Sequence, residues 1–338
     1  MKRAQDYGWH GMVLCGRKDQ ITDVPGIRVG HCTVEDEDAH TGVTVILPPG
    51  DVYQDNCIAA VHIQNGFGKS AGLMQIEELG VIETPIVLTN TLNVWKIADA
   101  LCSHVLEDEE RKGIHVQTLN PVVGECNDSR INAIQKRVLG REELELTFQN
   151  ASETFEEGAI GAGRGTVCFG LKGGIGSASR IVKLGSQEYT FGLLVQSNFG
   201  RTECLRFGSR LIGKEIAEKL KQLSVEDKGS IMMILATDCP LSSRQLKRIC
   251  RRVPNGLART GGYTGNGSGE VVIGFTTANR ISHQKKMIEL TVYPDTMLEP
   301  VFMAVSEMCE EAVLNSMLNA EPMKELNGTV VHSLVEFM

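Results

Sequence analysis

The sequence is short of aromatic residues, which make up 5% of its 338 positions. It has no apolar run of the roughly 18 residues that a membrane-crossing helix needs. Positive charge is also in deficit: 34 Lys and Arg stand against 42 Asp and Glu, a formal net charge of −8. That balance argues against nucleic acid as a main partner, because phosphate binding requires a basic surface. It mildly favours cationic substrates, such as peptides with a free amino terminus. The ten cysteines, at 15, 32, 57, 102, 126, 168, 204, 239, 250 and 309, include no C-x-x-C pair and no Cys/His group with zinc spacing. They read as buried thiols of a reducing compartment. Met1–Cys15 has no apolar core of signal-peptide length. A cytoplasmic protein with no membrane partner is therefore expected.

Glycine is abundant, at 36 residues, above the roughly 7% of average proteins. It lies between apolar runs, which points to tight turns and close backbone approaches. Runs rich in Val, Ile, Thr and Phe predict strands at Val43–Leu47, Ile58–Gln64, Pro85–Leu88, Gly165–Phe169, Thr190–Gln196, Ile231–Thr237, Val271–Thr277 and Met287–Tyr293. Four helices are expected. Val94, Ile97, Ala98, Leu101 and Val105 share one helical face. Ile212, Ile216, Leu220 and Leu223 share another, and Ser242 with Gln245 makes a capping-box opening. Glu299–Leu318 is apolar on more than one side, which predicts burial on two. Strands with interspersed helices give an α/β or α+β fold. With no Pro/Ser linker, the expected organisation is a polar leader over 1–20 and one domain over 21–338.

Five segments are read for chemistry. Gly261–Gly269 contains Asn266-Gly267, a favoured type I′ hairpin pair, and can simply join two strands. It also sets Ser268 directly before a predicted strand. A serine so placed can attack the preceding carbonyl, and Gly267, having no Cβ, takes the dihedrals this needs. The N→O acyl shift leaves an ester that water opens. Ser268 then carries a free α-amine of pKa about 7.7–8.0, able to serve as base for its own hydroxyl. The stretch is not a G-x-S-x-G elbow. Gly173–Ser179 matches a dinucleotide loop only weakly, and a turn packed close to another backbone is preferred. Asn198, at the end of a strong strand, is either a turn residue or an oxyanion donor. Gly124–Ser129 reads as a capped turn or as a cleft-rim carboxylate able to hold an ammonium group. On the last helix Ser306 and Glu310 face the same way. Glu310 lies among Met303, Leu314 and Met317, whereas Glu311 points elsewhere, on a face expected to be solvated.

Together these segments resemble the DmpA-type aminopeptidases of peptidase family S58. The resemblance runs from Ile21 to about Leu318, through Ile21–His31, Asn65–Gly68, Pro85–Thr91, Val122–Asp128, Phe169–Arg180, Val195–Gly200, Ala236–Ser242 and Gly256–Phe275. It implies a four-layer α-β-β-α sandwich, also found in ornithine acetyltransferases, and a precursor cut between Gly267 and Ser268. It implies a homo-oligomer of cut units releasing N-terminal residues from small peptides, amides or esters, including D- or β-residues, without metal or organic cofactor. Ser268 would be the nucleophile, Asn198 the oxyanion donor and Glu125 the ammonium ligand, with Asn127 beside the substrate. Glu310, with Ser306, would be the catalytic pair of the last helix. The chain departs from the family in having Asn127 where some members have Tyr, and Met308 where a hydroxyl or carboxylate is expected. An acyltransferase of the ornithine acetyltransferase type and an uncut binding protein are the alternatives; Ser268 speaks against the first, since those enzymes usually present Thr.

Overall fold

The computed structural model describes residues 1–221 and 229–338. The first half of the chain forms β1 (Arg28–Glu35), β2 (His40–Leu47), β3 (Asp55–Gly66), α1 (Leu73–Leu79), β4 (Val81–Ile82), β5 (Ile86–Asn90), α2 (Val94–Arg111), β6 (Val122–Cys126) and α3 (Arg141–Gln149). A hairpin of β7 (Val167–Cys168) and β8 (Leu171–Lys172) precedes the long strands β9 (Gly174–Leu184) and β10 (Gln187–Asn198). After the hairpin of β11 (Arg206–Phe207) and β12 (Arg210–Leu211) come α4 (Gly213–Leu220), β13 (Ser230–Thr237), α5 (Ser243–Cys250), α6 (Val253–Arg259), β14 (Gly269–Ser282) and α7 (Glu299–Leu318). A last hairpin pairs β15 (Met323–Lys324) with β16 (Val330–Val331).

Two sheets result. One has the order β1-β2-β5-β6, and the other β4-β3-β14-β13-β10-β9. Each contains one parallel pair, β5 with β6 and β13 with β14. The period-two alternation of the strands sorts apolar side chains into layers. Val43, Val45, Val87 and Val123 pack with Val94, Ile97 and Leu101 of α2 and Leu144 of α3. Ile46, Ile86 and Leu88 meet Ile234, Val271, Ile273 and Phe275 between the sheets. Met233, Leu235 and Val272 face Leu246 of α5, Leu257 of α6 and Val305 and Leu314 of α7. The architecture is the expected four-layer α-β-β-α sandwich.

Helix α7 has the predicted limits and is buried nearly all round, wedged against β9, β10 and α6. Ser242 caps α5 with the predicted box to Gln245. The amphipathic helix from Ile212 is seen to Leu220; Leu223 falls outside the described residues. Residues 1–20, expected as a polar leader, pack on α7: Trp9 is buried, and the Met12 and Val13 N–H groups donate to Glu307 at 2.9–3.1 Å.

Three expectations are corrected. Met287–Tyr293 is not a strand: Asn279 engages both backbone groups of Thr291 and so takes the place of a neighbouring strand. Gly165–Phe169 shrinks to two-residue β7, because Phe169 turns at φ 51°. Gly173–Ser179 is mostly strand β9, not a turn. The close approach foreseen there is real, since a Cβ on Gly176 would stand 2.0 Å from the Ala312 carbonyl oxygen of α7. Strand β1 and helices α1, α3 and α6 carry too little periodicity to be anticipated.

Candidate active site

The last residues of β5 and β6 and the first residues of β13 and β14 lie at the same edge of the sandwich. On the six-stranded sheet Asn198 of β10 pairs with Ser230 of β13, Ser230 with Gly269 of β14, and Gly269 with Gly66 of β3. On the other sheet Thr89 and Asn90 pair with Glu125 and Cys126. The sheets are tied there: the Gln196 amide donates to the Thr89 carbonyl at 3.1 Å, and the Asn127 N–H to Ser230 Oγ at 3.4 Å. Between these strand ends opens a cavity of about 1210 Å³, walled by Phe67–Lys69, Thr91, Glu125, Asn127, Asn198, Ser230, Tyr263 and the Gly265–Gly267 turn.

Glu125 lines this cavity yet is 3% exposed. Its Oε1 accepts the Lys69 N–H at 2.9 Å, and its Oε2 accepts the Thr91 hydroxyl. Among the described residues no cation pairs with it. It lies within β6, and the expected capped turn follows it, with the Ile131 and Asn132 N–H groups donating to the Asp128 carbonyl. Asn127 is exposed at the rim, its Oδ1 taking the Ser129 N–H at 3.0 Å. Asn198 is the last residue of β10 rather than part of a turn. Its Oδ1 accepts the Val167 N–H at 2.9 Å, which fixes the amide and turns Nδ2 toward Ser230 Oγ at 3.4 Å. Burial, and then the nearby Glu125 carboxylate, pushes the Cys126 thiol well up, so it is no competing nucleophile.

Ser268 is wholly buried behind the Gly265–Gly267 turn. That turn is closed by the Ser268 N–H donating to the Gly265 carbonyl at 2.9 Å. It is not type I′, for neither Asn266 nor Gly267 has positive φ, and it leads from α6 into a parallel strand, not round a hairpin. Thr264 supplies the strained residue instead, at φ 58°, a conformation that β-branched residues rarely adopt. Asn65 Nδ2 bonds the carbonyls of Gly265 at 3.3 Å, Asn266 at 3.2 Å, and Ser268. The Ser268 hydroxyl donates to Glu270 Oε1 at 2.9 Å, and the Thr264 hydroxyl to Glu270 Oε2 at 2.7 Å. Asn65, Thr264 and Glu270 were missed as site residues. A serine and a glutamate two apart beside a strand share a face, and that spacing was the available signal for Glu270.

The last-helix residues direct their hydrogen bonds and ion pair elsewhere. Ser306 Oγ donates to the Phe302 carbonyl at 2.9 Å and the Arg252 carbonyl at 3.2 Å. Glu310 is buried against Arg259, 2.6 Å from its Nε. Neither hydrogen-bonds Ser268 among the described residues. Glu310 and Glu270 do share the neighbourhood of Cys309, whose thiol is pushed up first by burial and further by these two carboxylates. Met308 is fully buried in apolar surroundings. Glu311, expected on a solvated face, is buried and paired with Arg180 at 2.6 Å; the N-terminal segment covers that face.

A family model described as peptidase family S58 matches residues 19–331. The beta-peptidyl aminopeptidase BapA of Sphingosinicella microcystinivorans is 32% identical, the alignment covering 98% of this chain and 89% of that one. The PH0078 protein of Pyrococcus horikoshii OT3 superposes with a TM-score of 0.93 at 44% identity, covering 98% of this chain and 96% of that one. The L-aminopeptidase D-Ala-esterase/amidase of Ochrobactrum anthropi, described as a prototype of the serine aminopeptidases with a variant of the Ntn hydrolase fold, superposes with a TM-score of 0.91 at 32% identity, covering 99% and 96%.

Proposed function

This chain belongs to peptidase family S58, and we propose that it is a self-processing aminopeptidase that hydrolyses amide bonds next to a free amino terminus. The relatives named above include a beta-peptidyl aminopeptidase and an L-aminopeptidase D-Ala-esterase/amidase. The observation that carries the reading is Glu125: a buried carboxylate, facing the cavity, with no cation of its own among the described residues. Burying such a charge unpaired is costly. A substrate ammonium completes the pair and is held by charge and hydrogen bonding together.

In this reading the Gly267–Ser268 bond is cut first. Release of the Gly265–Gly267 turn from Ser268 opens the new terminus to the cavity. The Ser268 hydroxyl attacks the substrate carbonyl, its own α-amine takes the proton, and the Asn198 amide stabilises the oxyanion. Water then releases the acyl group. Glu310 and Ser306 keep at most a supporting role in the uncut chain, because their hydrogen bonds and ion pair are made to Phe302 of α7, Arg259 of α6 and Arg252 just before it.

Ser268→Ala tests this. The variant should remain a single 36.9 kDa chain and lose at least about 10³-fold of its activity on amino-acid p-nitroanilides, as nucleophile loss does elsewhere. Undiminished cutting or hydrolysis would refute the proposal. Loss of cutting with acetyl transfer from acetylornithine to glutamate in the wild type would favour the acyltransferase alternative.

A further inference from the structure

The base of the mature reaction does not exist before the chain is cut. Until then the Ser268 nitrogen is an amide, its N–H committed to the Gly265 carbonyl at 2.9 Å. Yet the hydroxyl must lose its proton for the first attack. From the structure we infer that Glu270 is the general base of self-cleavage, a role separate from peptide hydrolysis; this rests on the self-processing reading above.

Glu270 and Ser268 are both wholly buried, on one face at the start of β14. Glu270 Oε1 lies 2.9 Å from Ser268 Oγ, within reach for direct proton transfer. Among the described residues no other side chain accepts that hydroxyl. The second oxygen is held by Thr264 at 2.7 Å, which orients the first toward the serine. Thr264 adopts φ 58° to make that contact, and such strain collects where a site requires it. Asn65 completes the arrangement by bonding the carbonyls on either side of Gly267, those of Asn266 and Ser268. The backbone flanking the scissile bond is thereby held while the hydroxyl moves.

The step balances as follows. The Ser268 Oγ–H proton passes to the Glu270 carboxylate, and Oγ bonds to the Gly267 carbonyl carbon. The tetrahedral adduct expels the Ser268 nitrogen, which takes the proton back from Glu270 and becomes the α-amine. Water then opens the ester, leaving the Gly267 carboxylate and restoring the Ser268 hydroxyl. No co-reactant other than water is consumed.

The test follows the whole chain after cell-free synthesis, by intact mass under denaturing conditions, for wild type, Glu270→Gln and Glu270→Asp. S268A, which is uncut by design, serves as the folded reference in melting experiments. General-base catalysis is worth about 10²–10⁴-fold, so E270Q should cut at least about 100 times more slowly than wild type. E270D, keeping a carboxylate one methylene further back, should cut faster than E270Q. Hydroxylamine, which captures the ester, should not restore E270Q, because the ester is not formed. Cutting of E270Q at the wild-type rate overturns the inference while leaving self-processing intact. Equal slowness of E270D and E270Q, or full rescue of E270Q by hydroxylamine, overturns it too, since Glu270 would then act on structure or on ester opening. If E270Q melts well below S268A, the E270D rate and its response to hydroxylamine decide. A wild-type chain that stays whole overturns the self-processing reading and this inference with it.

Discussion

Glu125→Gln should make the protein a worse enzyme and a slightly more stable one. The side chain is 3% exposed and has two partners, the Lys69 N–H and the Thr91 hydroxyl. A glutamine can keep both, with its oxygen toward Lys69 and its amide donating to a rotated Thr91 hydroxyl. Only the charge is lost. In the empty site the two hydrogen bonds offset only part of the cost of burying that charge without a counter-ion, so its removal should stabilise the fold by about 1 kcal/mol. For a chain of this length that is a rise of about 1–2 °C in Tm. With substrate bound, the same charge faces an ammonium group. Removing one partner of a buried pair costs about 2–5 kcal/mol. Because the hydrogen bonds survive, the lower part of that range applies, about 30- to 200-fold in kcat/KM. The assay compares an alanyl p-nitroanilide with its lactoyl counterpart, in which hydroxyl replaces the amine. Wild type should discriminate strongly between the two, and E125Q should bring the ratio close to one. An equal loss on both substrates, or a fall in Tm, would refute the assignment of Glu125 to the ammonium.

Two further outcomes follow from the packing around α7. Asp19, Glu307 and Glu311 face one buried guanidinium, Arg180, with Cys15 and Gln5 beside them. Three carboxylates against one cation leave excess negative charge, and burial, followed by Asp19, pushes Glu311 up to about 8 from 4.5. A folded value above the unfolded one means tighter proton binding in the folded state, so this contribution to stability is full below about pH 4.5 and lost as pH rises through about 8. Wild-type Tm should accordingly decline from pH 5 to 9 more steeply than that of Glu311→Gln, which mimics the protonated form; parallel curves would refute the shift. Gly256→Ala places a methyl 2.1 Å from the Ser306 carbonyl oxygen and 2.7 Å from the Glu310 nitrogen. Overpacking of this kind costs about 1–3 kcal/mol, so calorimetry should show a lower Tm, and an unchanged Tm would contradict the close approach of α6 to α7.

Much of the sandwich was legible because its strands are β-branched runs of ordinary length and α7 is long and apolar on several sides. What escaped was set by contacts between segments distant in sequence. Gly174 and Gly176 look like turn residues, yet they lie in β9 because α7 and the Gly158 backbone press against them. Thr291 looks like a strand residue, yet Asn279 occupies its backbone groups. The same distinction divides the site. Ser268, Asn198 and Glu125 stood out as candidates because each ends or begins an apolar run, but it was the resemblance to the DmpA-type family that chose their roles over turn readings. Glu310 and Ser306 joined them through the family resemblance and a shared helical face, neither of which says what that face meets in the uncut chain. Here it meets Arg259 of α6 and Arg252, the residue just before that helix. Glu270 shows the converse. Its proximity to Ser268 is local, fixed by the two-residue period of a strand, and needed no tertiary knowledge. It was passed over because a mature nucleophile with its own amine requires no carboxylate. Only the uncut chain, in which that amine is still an amide, gives the carboxylate a task.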